Sequence, residues 1–384
     1  MKRFISSVLK TDLARSSGLI FLATFTGNII VFLVDVFLSK LLGPVDFGIF
    51  RTIFYLFSFL PLLIDLGISI SLTKYISELK KSRKKVSYLV KYFLKIRIVS
   101  FIALLVSILL LGEQLSILFL NDVSLSYLIF PGAVISAMLF FNVFQYIVLG
   151  YQKFKLFALS QFMLLTASSI VGLLMSFFGM FYLILGWGLG YLVGNIFSIA
   201  FFFRQKVVNS SESFDVKKIF TNFSLPVHVV FIINNLHFVI VPILSLFFSQ
   251  ELIGYFSFAF LFYFSTLLIP NAISFVILPK VSEMKDRHVD ARNLMRKACL
   301  FYTPVVVVGI LGVLLLSDVV FSIFFTSYLP SLFLFKVVVT MGLLFGYNLI
   351  YTYYLQGMGR VKKFALFAIL QNVILIAVSF YLLS

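Results

Sequence analysis

Long apolar runs separated by short polar connectors dominate this 384-residue chain. Most runs reach the roughly 20 residues that a helix needs to cross about 30 Å of hydrocarbon. They do not alternate apolar and polar positions as the strands of a membrane β-barrel do. The pattern predicts an all-α polytopic membrane protein. We predict about 11 transmembrane helices, at roughly 18–40, 47–72, 93–111, 125–149, 156–178, 181–203, 219–248, 253–278, 299–316, 329–355 and 364–383.

Composition supports this class. Apolar residues make up 61% of the chain and charged residues 12%, and a soluble protein could not hide that much apolar surface. The single cysteine excludes a disulfide framework, and the three scattered histidines form no metal-ligand pattern. We therefore predict neither a metal nor a cofactor. The first apolar run has no small-residue cleavage site after it, so we do not interpret it as a removable signal peptide.

The net charge of +17 is unevenly distributed along the chain. With a cytoplasmic N-terminus, all of the 31 Lys and Arg except Lys40, Arg51 and Lys336 fall in the N-terminal arm or in connectors on the cytoplasmic side. The most basic connector extends from Lys74 to Arg97. This positive-inside bias predicts a multi-pass protein of the cell (plasma or inner) membrane with its N-terminus in the cytoplasm. The basic loops favour anionic lipid headgroups, and no soluble domain is present to bind nucleic acid.

The N-terminal arm, residues 1–18, carries one apolar stripe and several basic residues. This spacing indicates an amphipathic helix on the inner membrane surface, and a disordered tail is the alternative.

The two halves of the chain resemble each other at an offset of about 206 residues. VLGYQKFKLFAL at 148–159 matches LQGMGRVKKFAL at 355–366, and Asn28 and Gly48 match Asn234 and Gly254. The repeat predicts two lobes, 1–210 with six helices and 211–384 with about five. In transporters, parallel repeats place the substrate route between lobes. The counterpart of the sixth helix would be a twelfth helix starting at Ser384, so we expect either a lost helix or an incomplete chain.

The stretch LSKLLGPVDFGIFRTIFYLFSFLPLLIDLGISISLTKYISE resembles the opening hairpin of polysaccharide flippases. These are the lipid-linked oligosaccharide exporters of the superfamily that also contains MATE antiporters and lipid II flippases. The matching positions are Leu42, Gly43, Pro44, Phe47, Gly48, Asp65 and Gly67.

The resemblance implies a V-shaped cavity between two helical lobes and alternating access. It also implies a polyprenyl phosphate or pyrophosphate-linked oligosaccharide as cargo, moved from the cytoplasmic to the outer leaflet for cell-surface polysaccharide or glycan biosynthesis. Membrane lipids, H⁺ or Na⁺, and glycan polymerase or glycosyltransferase machinery are the expected partners.

Charges inside predicted spans are candidates for function. Arg51 is suited to bidentate contact with a cargo phosphate, but it could instead reach the outer headgroups or pair with Asp35, which lies at similar depth across a short turn. Asp35 could alternatively bind H⁺ or Na⁺ for coupling, as an acidic residue in the first helix does in some MATE relatives. Lys336 either contacts phosphate or pairs with Asp318. Asp65 matches the family's helix-end motif, which indicates a structural role.

Uncharged polar residues in the spans could hydrogen-bond the sugar hydroxyls of the cargo. The alternative for each is a hydrogen bond between helices, worth about 0.6 kcal/mol. Asn28 and Asn234 are the stronger pair because the repeat places both across the presumed central axis. The candidates are Asn28, Asn234, Asn235, His237, Asn142, Gln145, Asn348, Gln161, Gln371 and Asn372.

Three other functions compete with a flippase. An enzyme is disfavoured because the chain has no large outer loop, no zinc-protease motif and no nucleophile elbow, and the absence of a P-loop excludes an ATPase of its own. A MATE-type ion-coupled multidrug or cation antiporter is the alternative transporter, but a cation cavity should be acidic, whereas Arg51 and Lys336 lie beside Asp35. A non-transporting scaffold is the third possibility.

Overall fold

A computed structural model describes residues 12–79, 81–205, 216–283, 288–358 and 360–384, and every regular element among them is helical. The α-helices are α1 Asp12–Leu63, α2 Ile68–Leu79, α3 Arg83–Leu110, α4 Gly112–Leu120, α5 Ile129–Leu139, α6 Val143–Gly150, α7 Phe154–Ser176, α8 Met180–Arg204, α9 Val216–Ile219, α10 Leu225–Asn234, α11 His237–Ser245, α12 Gln250–Thr266, α13 Leu268–Glu283, α14 His288–Phe324, α15 Leu332–Gly357 and α16 Val361–Leu383. Short 3₁₀ segments cover Val123–Leu128, Phe140–Asn142 and Thr326–Ser331, and a π-helical turn covers Phe220–Ser224. The N-terminal arm up to residue 11 lies outside the described residues.

The all-α polytopic class is confirmed. Among the described residues, 10 helices are long and apolar enough to cross a membrane. The first of these, Gly18–Leu63, contains the first predicted span and most of the second, so the number 11 remains a prediction.

Two sharp changes of direction shape the N-terminal helices. At Gly43 in α1 the backbone adopts φ 72° and ψ 174°, which breaks the helical path at the predicted Gly-Pro turn. A residue before proline is disfavoured in the helical region, and glycine takes positive φ at no steric cost. Between α1 and α2, Leu66 and Gly67 both have positive φ, 50° and 71°. The motif Asp65-Leu66-Gly67 therefore ends one helix and starts the next.

Helix α3 corrects one prediction. It begins at Arg83 instead of near residue 93, so the predicted basic connector is largely helical. Lys91 and Lys95 are exposed, whereas Arg97 is only 5% exposed. Arg97 was counted with the connector charges, and that interpretation was wrong. Hydropathy shows where apolar residues start, not where a helix starts, and a basic first half still forms helix.

The described chain forms two compact units. Unit 1 comprises the described residues up to Val34 together with Ile53–Pro242, and unit 2 comprises Asp35–Thr52 and Ile243–Ser384. The two predicted repeat lobes, divided at residue 210, remain a prediction.

Small residues allow close packing inside unit 1. A Cβ on Gly190 or on Gly194 of α8 would lie 2.3 Å from a Cα atom of α7, so only glycine permits this approach. The Ser198 hydroxyl also donates to Ser160 Oγ at 2.8 Å. The α7–α8 hairpin is therefore a tightly packed pair of membrane helices, as small residues at such interfaces allow.

Candidate functional site

The strongest candidate site is the ion pair between Arg51 and Asp35 in unit 2. Both residues belong to α1, and the Gly43 kink returns the chain so that Arg51 Nη2 lies 2.6 Å from Asp35 Oδ2. The two side chains are 2% and 3% exposed. The structure thus forms the pair that the sequence offered as one alternative. The guanidinium is enclosed by protein, which is not the environment of an arginine that reaches the outer headgroups.

The surroundings of Arg51 hold its helix in place. Its Cζ lies 4.9 Å from the centre of the Phe47 ring and 5.4 Å from that of Phe50, within the range of cation–π attraction. One turn earlier, a Cβ on Gly48 would lie 1.9 Å from the Gln250 carbonyl oxygen, so α1 and α12 touch backbone to backbone. Thr52 Oγ1 donates to Gln250 Oε1 at 3.3 Å and adds a polar link.

The Asp35 carboxylate has a partner at only one of its two oxygens. Its Oδ1 is buried and has no hydrogen-bond partner among the described residues. Burying a charge is costly unless its polar atoms are paired and hydrogen-bonded. The Asp35 carboxylate therefore retains acceptor capacity inside the protein.

Lys336, the second cationic candidate, lies in a different environment. Its Nζ donates to Asp318 Oδ2 at 2.7 Å, and the side chains are 25% and 57% exposed. Of the two alternatives for Lys336, phosphate contact or pairing with Asp318, the structure forms the pair. An exposed pair of this kind contributes little to stability.

Asn142 and Gln145 are joined in unit 1 by a residue that sequence reasoning missed. Gln145 Nε2 donates to Asn195 Oδ1 at 2.9 Å, and Asn195 Nδ2 donates to Asn142 Oδ1 at 2.8 Å. Asn195 on α8 is fully buried. A lone asparagine in an apolar span was the available signal for it. These amides form hydrogen bonds between helices, which was the alternative to sugar binding for the uncharged polar residues.

The other uncharged candidates contact different residues. In unit 2, Asn348 donates to Gln371, whose Nε2 donates to the Tyr263 hydroxyl at 3.1 Å. In unit 1, Asn235 donates to the Phe231 carbonyl of the preceding helix α10, and the His237 ring lies 4.5 Å from that of Phe238. Asn28 is partly exposed.

Three candidates remain. Asn234 ends α10, and its side chain lies outside what the structure describes. Gln161 and Asn372 are partly buried on α7 and α16, and Asn372 donates to the Ala368 carbonyl of its own helix.

A second buried ion pair, between Arg97 and Asp65 in unit 1, was also missed. Arg97 Nη1 contacts Asp65 Oδ1, and Ser69 donates to the same carboxylate from its hydroxyl at 2.6 Å and from its backbone N–H at 3.3 Å. Arg97 also donates to Ser69 Oγ at 3.1 Å. The group holds the start of α2 against α3, so Asp65 has a structural environment at the helix end.

No three His, Cys, Asp or Glu side chains come together as a metal centre would require, as far as the structure describes the chain.

Comparisons with known proteins place these features in a family. The profile of the polysaccharide biosynthesis protein family matches residues 13–285. A search among curated protein sequences found no match.

Solved structures share the fold. The lipid II flippase MurJ, in an inward closed conformation, superposes with a TM-score of 0.71 at 16% identity over 92% of this chain and 79% of MurJ. A multidrug resistance MATE family transporter of the MOP superfamily gives a TM-score of 0.68 in its inward-facing form, at 13% identity over 91% of this chain and 84% of that one. Its outward-facing form gives 0.66, at 13% identity over 98% and 90%. The chain therefore belongs to the polysaccharide biosynthesis protein family and has the fold of the MurJ and MATE transporters.

Proposed function

We propose that this protein is a flippase that moves polyprenyl phosphate or pyrophosphate-linked oligosaccharide from the cytoplasmic to the outer leaflet by alternating access. The observation that carries the proposal is that one chain combines a polysaccharide biosynthesis family match with the fold of a lipid II flippase. The product would serve cell-surface polysaccharide or glycan synthesis. We place the protein in the cell membrane with its N-terminus in the cytoplasm, beside glycan polymerase or glycosyltransferase machinery.

The physical problem of such a cargo explains why a buried arginine is useful. Sugar hydroxyls and phosphate oxygens cost several kcal/mol each when they enter hydrocarbon without partners. A guanidinium binds phosphate bidentately and stays charged at any physiological pH. In our proposal the cargo phosphate replaces the Asp35 carboxylate as the partner of Arg51.

This exchange also suggests the coupling step. Once Arg51 leaves it, the Asp35 carboxylate becomes an uncompensated buried charge, a state that costs several kcal/mol. Uptake of H⁺, or of Na⁺, by Asp35 would offset that cost. Asp35 is thus the proposed ion-coupling residue, and the unpartnered Oδ1 is where the cation would bind. Lys336 and the amide residues are secondary candidates for cargo contact.

A MATE-type antiporter of cationic compounds is the second candidate, because MATE structures share the fold at TM-scores of 0.68 and 0.66. One observation disfavours it. Among the described residues, the buried carboxylates are Asp35 and Asp65, and each has an arginine partner. A site built to attract cations would keep a carboxylate without such a partner. We propose neither an enzymatic activity nor nucleic-acid binding.

The test is to locate lipid-linked oligosaccharide in cells that lack this protein, using a membrane-impermeant glycan probe. We expect accumulation that the probe reaches in inverted vesicles and not in intact cells. Restoring the 384-residue chain should reverse it, as should the matched control Lys155→Gln, which changes an exposed charge. Arg51→Gln should not reverse it at equal protein level.

The opposite outcomes are also informative. No accumulation, with changed resistance to cationic compounds instead, would favour the antiporter. Full reversal by Arg51→Gln would remove Arg51 from the cargo path.

A further inference from the structure

A small pocket in unit 1 is lined by residues that belong to neither buried ion pair. Three helix ends form it: the first turns of α3, the end of α6, and the end of α8. Its lining residues combine a polar set with an apolar set. They are Arg83, Ser87, Tyr151 and Gln205, and Val86, Val90, Ile147 and Phe202.

The polar part of the pocket is cationic. Arg83 is exposed and forms no ion pair with the described residues, and no acidic residue lines the pocket. Its guanidinium acts on Tyr151 across the pocket: burial raises the pKa of the Tyr151 phenol, and the nearby Arg83 charge opposes that rise. Lys85 and Arg204, close by in the chain, are also exposed. Within the described part of the chain, the pocket thus offers a positive charge that has polar neighbours and no acidic partner.

The apolar part points to a ligand with a hydrocarbon portion. Val86, Val90 and Ile147 belong to the buried core of this unit, and Phe202 packs against that core. Next to Phe202, the Phe203 side chain is 74% exposed, as expected of a residue that faces lipid. A free inorganic anion would gain nothing from this apolar surface, whereas a lipid would cover it.

We propose that this pocket binds the headgroup phosphate of an anionic membrane phospholipid. Arg83 contacts the phosphate, the polar groups of Ser87, Tyr151 and Gln205 surround it, and the glycerol and first acyl carbons cover Phe202. Lysine and arginine residues near a membrane surface attract anionic lipids, and arginine adds bidentate geometry. The inference does not depend on the proposed cargo, so each fails or stands by itself.

The test uses the full chain in nanodiscs of equal parts phosphatidylcholine and phosphatidylglycerol. After mild detergent extraction, native mass spectrometry counts the lipids that remain bound. We expect wild type to retain phosphatidylglycerol in preference to phosphatidylcholine. Arg83→Gln should lower that retention about tenfold, the usual effect of losing one charged hydrogen-bond partner. Arg83→Lys should retain an intermediate amount, and Lys85→Gln should behave as wild type because Lys85 does not line the pocket.

A measurement on the wild-type protein tests the proposal even if a variant fails to fold. Added phosphatidylglycerol should raise the midpoint of thermal unfolding, because a ligand that binds only the folded state stabilises it. Phosphatidylcholine and inorganic phosphate should not. Equal retention in Arg83→Gln and wild type, equal losses in Arg83→Gln and Lys85→Gln, or displacement of the lipid by inorganic phosphate would each overturn the proposal.

Discussion

The two buried arginine–aspartate pairs use the same chemistry in different surroundings. In unit 1, both oxygens of Asp65 accept hydrogen bonds, from Arg97 and from Ser69, at a break between two helices. In unit 2, Asp35 meets Arg51 through Oδ2, and its Oδ1 has no hydrogen-bond partner within the described chain. The Asp65 carboxylate thus has a donor at each oxygen, whereas the Asp35 carboxylate retains acceptor capacity.

In our proposal, this difference separates a structural pair, Arg97–Asp65, from an exchangeable one, Arg51–Asp35. A polar group whose partners are all protein atoms gains nothing from a new ligand and makes its surroundings rigid. A carboxylate with a buried acceptor still unfilled has less to lose when its arginine changes partner. Burial of a charge inside a membrane protein therefore does not identify its role, and the completeness of its hydrogen bonding is more informative.

The largest effect should come from breaking the Arg97–Asp65 pair. Arg97→Met leaves the Asp65 charge buried without its partner, which typically costs about 3–5 kcal/mol. We expect a large fall in the thermal unfolding midpoint of the detergent-extracted protein, and loss of protein from the membrane. Adding Asp65→Asn should recover part of the loss, because the buried charge is removed. If the single variant is as stable as wild type, the pair does not stabilise the break between α1 and α2.

The exchangeable pair should behave differently when both its charges are removed. We expect the Arg51→Met/Asp35→Asn double variant to remain within about 1–2 kcal/mol of wild type, because replacing both members of a buried pair is often close to neutral. Glycan export should be lost all the same. The checks are the unfolding midpoint and the glycan-probe assay, run on the same protein. Normal export in the double variant would mean that both pairs have only structural roles.

The backbone contact beside Arg51 sharpens the comparison further. A Cβ on Gly48 would lie 1.9 Å from the Gln250 carbonyl oxygen, so Gly48→Ala forces α1 and α12 apart. Overpacking of this kind costs about 1–3 kcal/mol, and we expect export to fall because Arg51 moves with its helix. Gly312→Ala is the matched control, since nothing lies within 4 Å of its Cβ position. Equal unfolding midpoints for both variants would contradict the prediction.

The smallest effect belongs to the exposed pair. Lys336→Gln removes an ion pair whose members are 25% and 57% exposed, and such pairs contribute about 0–1 kcal/mol. We expect stability and export close to wild type, measured by the same two assays. A strong loss of export at unchanged stability would bring Lys336 into the cargo path.

Part of the site was predictable because its partners are close in sequence or follow directly from helix geometry. Asp35 and Arg51 flank one turn, so their pairing could be offered from the sequence. Arg97 could not be found in this way. Its partner is 32 residues away, and a run of lysines and arginines does not show which one turns inward. Asn195 was missed for the same reason, because its partners lie 50 and 53 residues away.

The fold shows a similar limit. Apolar length indicated the membrane-spanning helices, but hydropathy does not resolve breaks within an apolar run. The predicted span 253–278 is divided at Leu267 between α12 and α13, and the span 219–248 contains the break between α10 and α11 at Asn235 and Leu236. Such breaks depend on backbone angles and on packing against distant residues.

The crossing of α1 and α12 has a consequence for the history of the chain. Gly48 and Gly254 match in the repeat that the sequence predicts, and each approaches the backbone of the other's helix: Gly48 the carbonyl of Gln250, and Gly254 that of Pro44. A two-fold homodimer places the same residue of both subunits at its axis in this way. Duplication and fusion of one ancestral gene would preserve the contact within a single polypeptide. Replacing either glycine with a larger residue then causes the same backbone clash, and replacing the other glycine as well does not remove it.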